Sequence, residues 1–312
     1  MSGAAAPEAA ALAGAAGVEE REALAGLTLA LVAAVGFSAK AILVKLAYRE
    51  GVDAVTLLAL RMGLAAPFFA IAALWSRRRH AQPVAPGDRL WIVVLGLAGY
   101  YLSSYLDFLG LQYVSAGLER LILFLYPTIT VLLAAALQRR AVSRSTWTAM
   151  AVCYAGIVLV FLHDVGRLQG SLVLGSALVF GSTLSYSAYL VGAGEVIGRV
   201  GAVRFTALAS LVASAASLGQ FAVARPWSAL EVSWRVAGLG AGMAVFSTVL
   251  PVFLLSFAIR RIGPGRASLV GSIGPVSTIL LAYLFLQESM SLLQLAGSAL
   301  VLAGVLMVGR AR

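Results

Sequence analysis

The chain has 312 residues, of which 61% are hydrophobic and 12% charged, with a mean hydropathy of +0.95 and a formal net charge of +10. Soluble globular domains carry about 25% charged and about 45–50% apolar residues, so this composition excludes an ordinary soluble domain and points to a polytopic all-α membrane protein. The single cysteine, Cys153, excludes an intramolecular disulfide and multi-cysteine metal sites, and with His80 and His163 both in predicted loops neither a metal nor a cofactor is expected.

Residues 1–23 are rich in Ala and Gly, with Glu8, Glu19, Glu20 and Glu22. No basic region precedes an apolar one, so the stretch is not a secretory signal and is expected to be a disordered lead-in. Ten apolar segments follow, at approximately 24–46, 54–75, 90–111, 117–137, 146–162, 170–192, 203–223, 236–259, 265–286 and 292–309. A bilayer core about 30 Å thick needs roughly 20 such residues per helix. The predicted connections are short, among them SRRRHAQPVAPGDR (76–89), QRRAVSRS (138–145) and RRIGPGR (260–266), and none could hold a soluble domain. Basic residues gather in these clusters, which is an orientation signal rather than a nucleic-acid surface. The side carrying both termini holds 15 of them and the other side 5, or 6 with Lys45. Both termini are therefore expected in the cytoplasm, in the plasma (inner) membrane.

A shift of 148 residues sets Gly117 on Gly265, Pro127 on Pro275, Thr130 on Thr278, Ser143 on Ser291 and Ala155-Gly156 on Ala303-Gly304, with 13 identities in 55 gapless positions from Leu106. The expectation is a duplication, with repeats at 24–162 and 170–309. Five spans per repeat is odd, so the second copy enters from the opposite side. Inverted repeats recur in transporters, with the solute site near the midplane between them.

Charges inside spans are costly and mark candidate sites. Lys40, Lys45, Arg61, Asp107, Glu119 and Arg120 all fall in the outer half of the first repeat. The second repeat has Leu255, Ala267 and Ser268 opposite Asp107, Glu119 and Arg120. Snorkelling of Lys45, Glu119 and Arg120 to the interface is one reading. Neutralisation of Asp107 by Arg61 or Arg120 is a second. A vestibule whose charges select or protonate a solute is the third. Asp107 shares a helical face with Ser103, Ser104 and Tyr100, beside a Tyr101–Tyr105 stripe. Pro127 and Pro275 lie mid-span, where each removes a donor and frees the carbonyl of Leu123 or Gly271; the choice there is between a plain kink and a hinge beside the solute. Tyr126, Thr128, Ser272, Ser277 and Thr278 flank them, and Ser182 to Tyr189, including Tyr186, load span 6 with polar groups. Gly238 and Gly242 have the spacing of close helix packing.

Ten spans, inverted five-helix repeats, the paired prolines and the ending from Pro275 to Glu288 (P…LLAYLFLQE) resemble EamA-type members of the drug/metabolite transporter superfamily. The stretch YLDFLGLQYVSAGLERLILFLYPT resembles one bacterial subgroup. An acidic residue after span 9 is matched by Glu288, while the first repeat has Arg140 there. The resemblance implies export of small metabolites such as amino acids, and it carries no substrate motif. The expected function is a non-enzymatic secondary transporter working by alternating access. Asp107 is its coupling candidate, Lys40, Arg61 and Arg120 set charge preference, and Tyr101, Tyr105, Glu119, Tyr126 and Tyr186 complete the lining. A proton-coupled exporter of organic cations is the alternative. Expected partners are a small-molecule solute, the lipid bilayer, protons as coupling ion and a second copy in a homodimer. No sequence GxxxxGK[ST] for nucleotide phosphates is present.

Overall fold

The computed structural model describes residues 5–79, 83–137, 139, 141, 144–165, 172–271, 273–288 and 291–310; His80, Arg140, Ser143, Arg167 and Ser272 lie outside the described residues, as do the side chains of His163, Gly265, Ala267 and Ser268. Every regular element among the described residues is helical. The α-helices are α1 (Ala5–Arg49), α2 (Ala54–Arg79), α3 (Pro86–Gly96), α4 (Ser103–Gly110), α5 (Ala116–Leu123), α6 (Tyr126–Leu137), α7 (Arg144–Val165), α8 (Leu172–Val200), α9 (Ala202–Ala224), α10 (Trp234–Ala244), α11 (Leu250–Gly271), α12 (Gly274–Leu281) and α13 (Leu292–Arg310). A π-helical turn, Leu97–Leu102, joins α3 to α4, and another, Val245–Val249, joins α10 to α11.

Seven helical stretches are long and apolar enough to cross a membrane: Arg21–Arg49, Ala54–Arg78, Pro86–Gly110, Ala116–Leu137, Leu172–Val200, Ala202–Ala224 and Trp234–Leu255. Trp147–Leu162, Gly274–Leu286 and Leu292–Gly304 are shorter apolar helices. In each long stretch only 33–44% of the most apolar window is buried inside the protein. The remaining apolar side chains, such as Leu74, Trp91 and Trp234, face outward, which is stable only in apolar surroundings.

Elements recur at one spacing. The starts of α2 and α9 (54, 202), α3 and α10 (86, 234), the two π turns (97, 245), and α7 and α13 (144, 292) each differ by 148. Packing follows the same exchange. Helix α1 lies along α11 and α8 along α4, while α2 packs on α9 and α7 on α13. Shifting by 148 converts the first pairing into the second and returns the others to themselves.

Ion pairs sort the helix ends into two faces. Arg225 meets Asp53 (3.2 Å), Arg235 meets Glu50 (3.5 Å), and Arg49 donates to the Leu286 carbonyl (2.5 Å) on one face. Arg261 meets Glu22 (2.9 Å) and Arg199 meets Asp88 (2.7 Å) on the other. Exposed pairs stabilise little, about 0–1 kcal/mol each, but they join ends that alternate in the order a membrane-crossing chain requires.

Three local expectations change. The stretch expected as a disordered lead-in is helical from Ala5; alanine is the strongest helix former, and extending an existing helix costs little per residue. The segment 260–266, expected as a connection, lies inside α11. Tertiary packing overrides its Gly and Pro there: Ile262 is buried with Ala30 and Ala258, and a Cβ on Gly26 would sit 2.5 Å from Ile262 Cγ2. Gly238 and Gly242 do not bring helices together, since a Cβ on either meets nothing within 4 Å. That role falls to Gly156, Gly297 and Gly304 between α7 and α13.

Asp53 caps α2. Its carboxylate accepts from the backbone N–H of Val55 (2.9 Å) and Thr56 (3.3 Å) and from Thr56 Oγ1 (2.6 Å). Partial burial pushes the acid up, but these donors and Arg225 outweigh it and hold it below the usual carboxylate range. A group depressed in the folded state stabilises above its unfolded value of about 4 and loses that contribution as pH falls through the folded value. Asp53→Ala is expected to cost about 1 kcal/mol at neutral pH, read as a lower thermal unfolding midpoint in detergent. The difference from the wild type should shrink on acidification below about pH 4.

Candidate functional site

Lys40 of α1, Asp107 of α4 and Glu119 of α5 meet inside the bundle. Lys40 Nζ donates to Asp107 Oδ2 at 2.5 Å and lies 3.2 Å from Glu119 Oε1. Asp107 is 2% exposed and Glu119 0%, whereas the Lys40 side chain keeps 17%. Glu119 is therefore enclosed by protein and does not snorkel. The Ser115 hydroxyl fixes the start of α5 by accepting from Leu118 N (3.1 Å), which places Glu119 in the first turn. Glu288 accepts from Ala116 N at the same helix start (3.2 Å).

The partner of Asp107 is thus Lys40, not Arg61 or Arg120. Arg61 is buried and donates from Nη2 to Ser104 Oγ (3.0 Å), with its guanidinium 5.1 Å from the Phe108 ring centroid, and it acts on Asp107 through its charge. Arg120 follows Glu119 in sequence, but adjacent helical residues point about 100° apart. Its guanidinium lies on Gly274, where a Cβ would stand 2.6 Å from Nη2 and would push the end of the arginine aside.

The two midspan prolines open new helices rather than kink continuous ones. Phe124 and Leu125 form a turn and α6 restarts at Tyr126; α11 stops at Gly271 and α12 restarts at Gly274. Proline is well placed in a first turn, where its missing N–H costs nothing. Side chains from the opposite half bond to the first carbonyls of the two restarted helices. Ser187 of α8 donates to Tyr126 O (3.2 Å) and Ser38 of α1 to Gly274 O (3.0 Å), and these acceptors are 148 residues apart. Thr183 also reaches Ile122 O (3.3 Å).

Aromatic rings extend from the first break. Tyr126 packs edge-on against Tyr186 (centroids 5.5 Å), Tyr186 stacks on Tyr189 (5.6 Å), and the Tyr189 hydroxyl lies 3.0 Å from that of Tyr100. Gly99 admits the Tyr189 ring against the π turn. Tyr101 and Tyr105 form a separate stacked pair with centroids 6.3 Å apart. On the Arg49 face a cleft of about 460 Å³ is lined by residues including Lys45, Tyr48, Arg49, Gln112 and Glu288.

The structure thus joins Lys40, Asp107 and Glu119 directly and sets Arg120, Tyr126 and Tyr186 around the two breaks, near Pro127 and Pro275. It keeps Arg61 and the Tyr101–Tyr105 pair on a neighbouring side. The sequence points to Tyr100 on the Asp107 face and to Tyr189 in the polar load of span 6, and the structure joins the two through their hydroxyls. Ser38 carries no signal in the sequence, because its acceptor is 236 residues away.

The EamA-like transporter family matches residues 24–162 and again 173–310. An uncharacterized transporter of Bacillus subtilis, YcbK, is 31% identical over 283 residues, covering 89% of this chain and 90% of the relative. The threonine/homoserine exporter RhtA of Escherichia coli is 25% identical over 205 residues, 64% of each chain. One solved protein structure overlays with a TM-score of 0.62 at 18% identity, over 90% of this chain and 95% of the other, a likeness of fold.

Proposed function

The chain belongs to the EamA-like transporter family, and on that premise we propose that it is a secondary active exporter of a small organic metabolite, such as an amino acid, working by alternating access. It is a multi-pass membrane protein. In this reading the three shorter apolar helices complete ten spans in two inverted repeats, and both termini face the cytoplasm at the plasma membrane. The solute binds where the two broken helices meet, with Arg120 and the Tyr126–Tyr186 rings beside it. Pro127 and Pro275 mark the hinges, and the Lys40–Asp107–Glu119 cluster couples the movement. The observation that carries this is the convergence of buried charge, aromatic rings and two serine-covered helix breaks on one region, since irregular backbone at membrane depth is tolerated where it is buried or lines a cavity. The amino-acid class is favoured by the name of one relative and by Arg120 standing near two buried carboxylates, which offers one charge sign for each end of a zwitterion. The two buried carboxylates favour the second reading, a proton-coupled exporter of organic cations.

The test is reconstitution in liposomes with panels of amino acids and of quaternary ammonium compounds, with and without a pH gradient. Gradient-driven amino-acid movement that Arg120→Gln reduces about tenfold or more, the scale of one lost charged hydrogen bond, is the expected result. Movement of the ammonium panel alone decides for the second reading. If no solute moves under any gradient, both fall.

A further inference from the structure

We propose that Asp107 and Glu119 hold one exchangeable proton between their carboxyl groups, with Lys40 as the fixed counter-charge, and that this pair is the proton-coupling site of the chain. Three features of the cluster lead to it. The Lys40 ammonium bridges the two acids, 2.5 Å from Asp107 Oδ2 and 3.2 Å from Glu119 Oε1. Asp107 Oδ1 and Glu119 Oε2 are buried without a hydrogen-bond partner, and Glu119 Oε1 has only the Lys40 ammonium at 3.2 Å. An ionised carboxylate only accepts, so a proton held between the two acids supplies the donor that their remaining oxygens lack.

The charge count gives the same answer. Lys40 is the one cation in contact with both acids. The other charged groups around them are Arg61 of α2 and Arg120 of α5 itself. Arg61 donates to Ser104 beside the Phe108 ring and the Arg120 guanidinium lies on Gly274, and both act on the acids through their charge. Tyr48 of α1 also faces Asp107, but its hydroxyl donates to the Phe108 carbonyl (2.7 Å). From α8, Tyr186 sits beside Arg120 and Tyr126; the residues of α12, which packs on α5, are uncharged. With both acids ionised, two enclosed carboxylates would share a single contact cation, an arrangement that protein interiors avoid. One shared proton matches the remaining carboxylate charge to that cation. Losing that proton to water leaves one carboxylate without a contact cation, a place that a cationic group can then take, so the site can exchange a proton for a positive charge.

The proposal deepens the transport reading, but its chemistry can be read without any solute. Infrared difference spectra of the full chain in liposomes should contain the carbonyl band of a buried protonated carboxylic acid, falling as pH is raised. Glu119→Gln and Asp107→Asn should each remove it, because the remaining carboxylate then has Lys40 to itself, while an unchanged amide band reports the fold. A wild-type spectrum without the band, or a band that survives both substitutions at full size, overturns the proposal. Failure of the transport panels leaves this result standing, and the reverse also holds.

Discussion

Lys40→Met is expected to destabilise the folded chain by about 3–5 kcal/mol at neutral pH, the cost of removing one partner from a buried ionic cluster. The reason is specific to this cluster. Lys40 is the contact cation for two carboxylates that are 2% and 0% exposed, and neither has water to fall back on. Methionine fills a similar stem volume, so packing is nearly conserved and the loss reports charge. Two further measurements separate this from a generic core defect. Acidification should reduce the loss, because protonation neutralises the stranded carboxylates. Adding Asp107→Asn and Glu119→Gln to Lys40→Met should return most of the stability, since a neutral cluster needs no cation. Thermal unfolding in detergent, followed by intrinsic fluorescence, reads all three. A single-variant loss below about 1 kcal/mol, the level of an exposed ion pair, would mean that Lys40 is solvated and the cluster is not a closed site.

The second large effect is steric. Gly156→Leu should destabilise by about 3 kcal/mol or more, at or beyond the upper end of ordinary overpacking. A Cβ on Gly156 runs into the Gly297 carbonyl oxygen, and one on Gly297 would lie 2.6 Å from the Gly156 carbonyl oxygen. These obstacles are backbone on both sides, so no side chain can swing away. Gly304 repeats the arrangement, with Cys153 Sγ at 2.5 Å and the Ala149 carbonyl oxygen at 2.6 Å from its Cβ position. The two contacts are related by the 148-residue shift: 156 corresponds to 304, and 149 to 297. Gly242→Ala is the matched control. Its Cβ meets nothing within 4 Å, so it should be neutral or stabilising by up to about 1 kcal/mol through helix propensity. Equal losses for Gly156→Leu and Gly242→Ala would remove the α7–α13 contact as the explanation.

Much of the architecture was legible because bilayer physics acts on single stretches of chain. A helix that must satisfy its own backbone in lipid needs a long apolar run, and such runs stand out in the sequence. The candidate site was legible in part for the same reason. Asp107, Glu119 and Arg120 announce themselves by being charged where charge is expensive, and Pro127 and Pro275 by recurring at one spacing. Which charge meets which was not legible. Lys40 lies 67 residues from Asp107, and nothing in the local pattern ranks it above Arg61 or Arg120. The lead-in and the 260–266 segment failed in the opposite way. There, composition argued for irregular chain, while alanine propensity in one case and packing on α1 in the other made helix.

What the sequence determined by itself is the helical class, the positions of most apolar segments, the recurrence at 148 residues and the set of residues that pay a desolvation cost. Each depends on neighbours a few positions away or on identity between two stretches. Only the tertiary structure decided that Glu119 is enclosed rather than snorkelled, that Arg120 turns onto Gly274, that the prolines begin new helices, and that two acids share one lysine. Those outcomes depend on which helices lie side by side. In a bundle of apolar helices that choice is made by close contacts at a few glycines and serines, whose side chains are too small to leave a hydrophobic signature in the sequence.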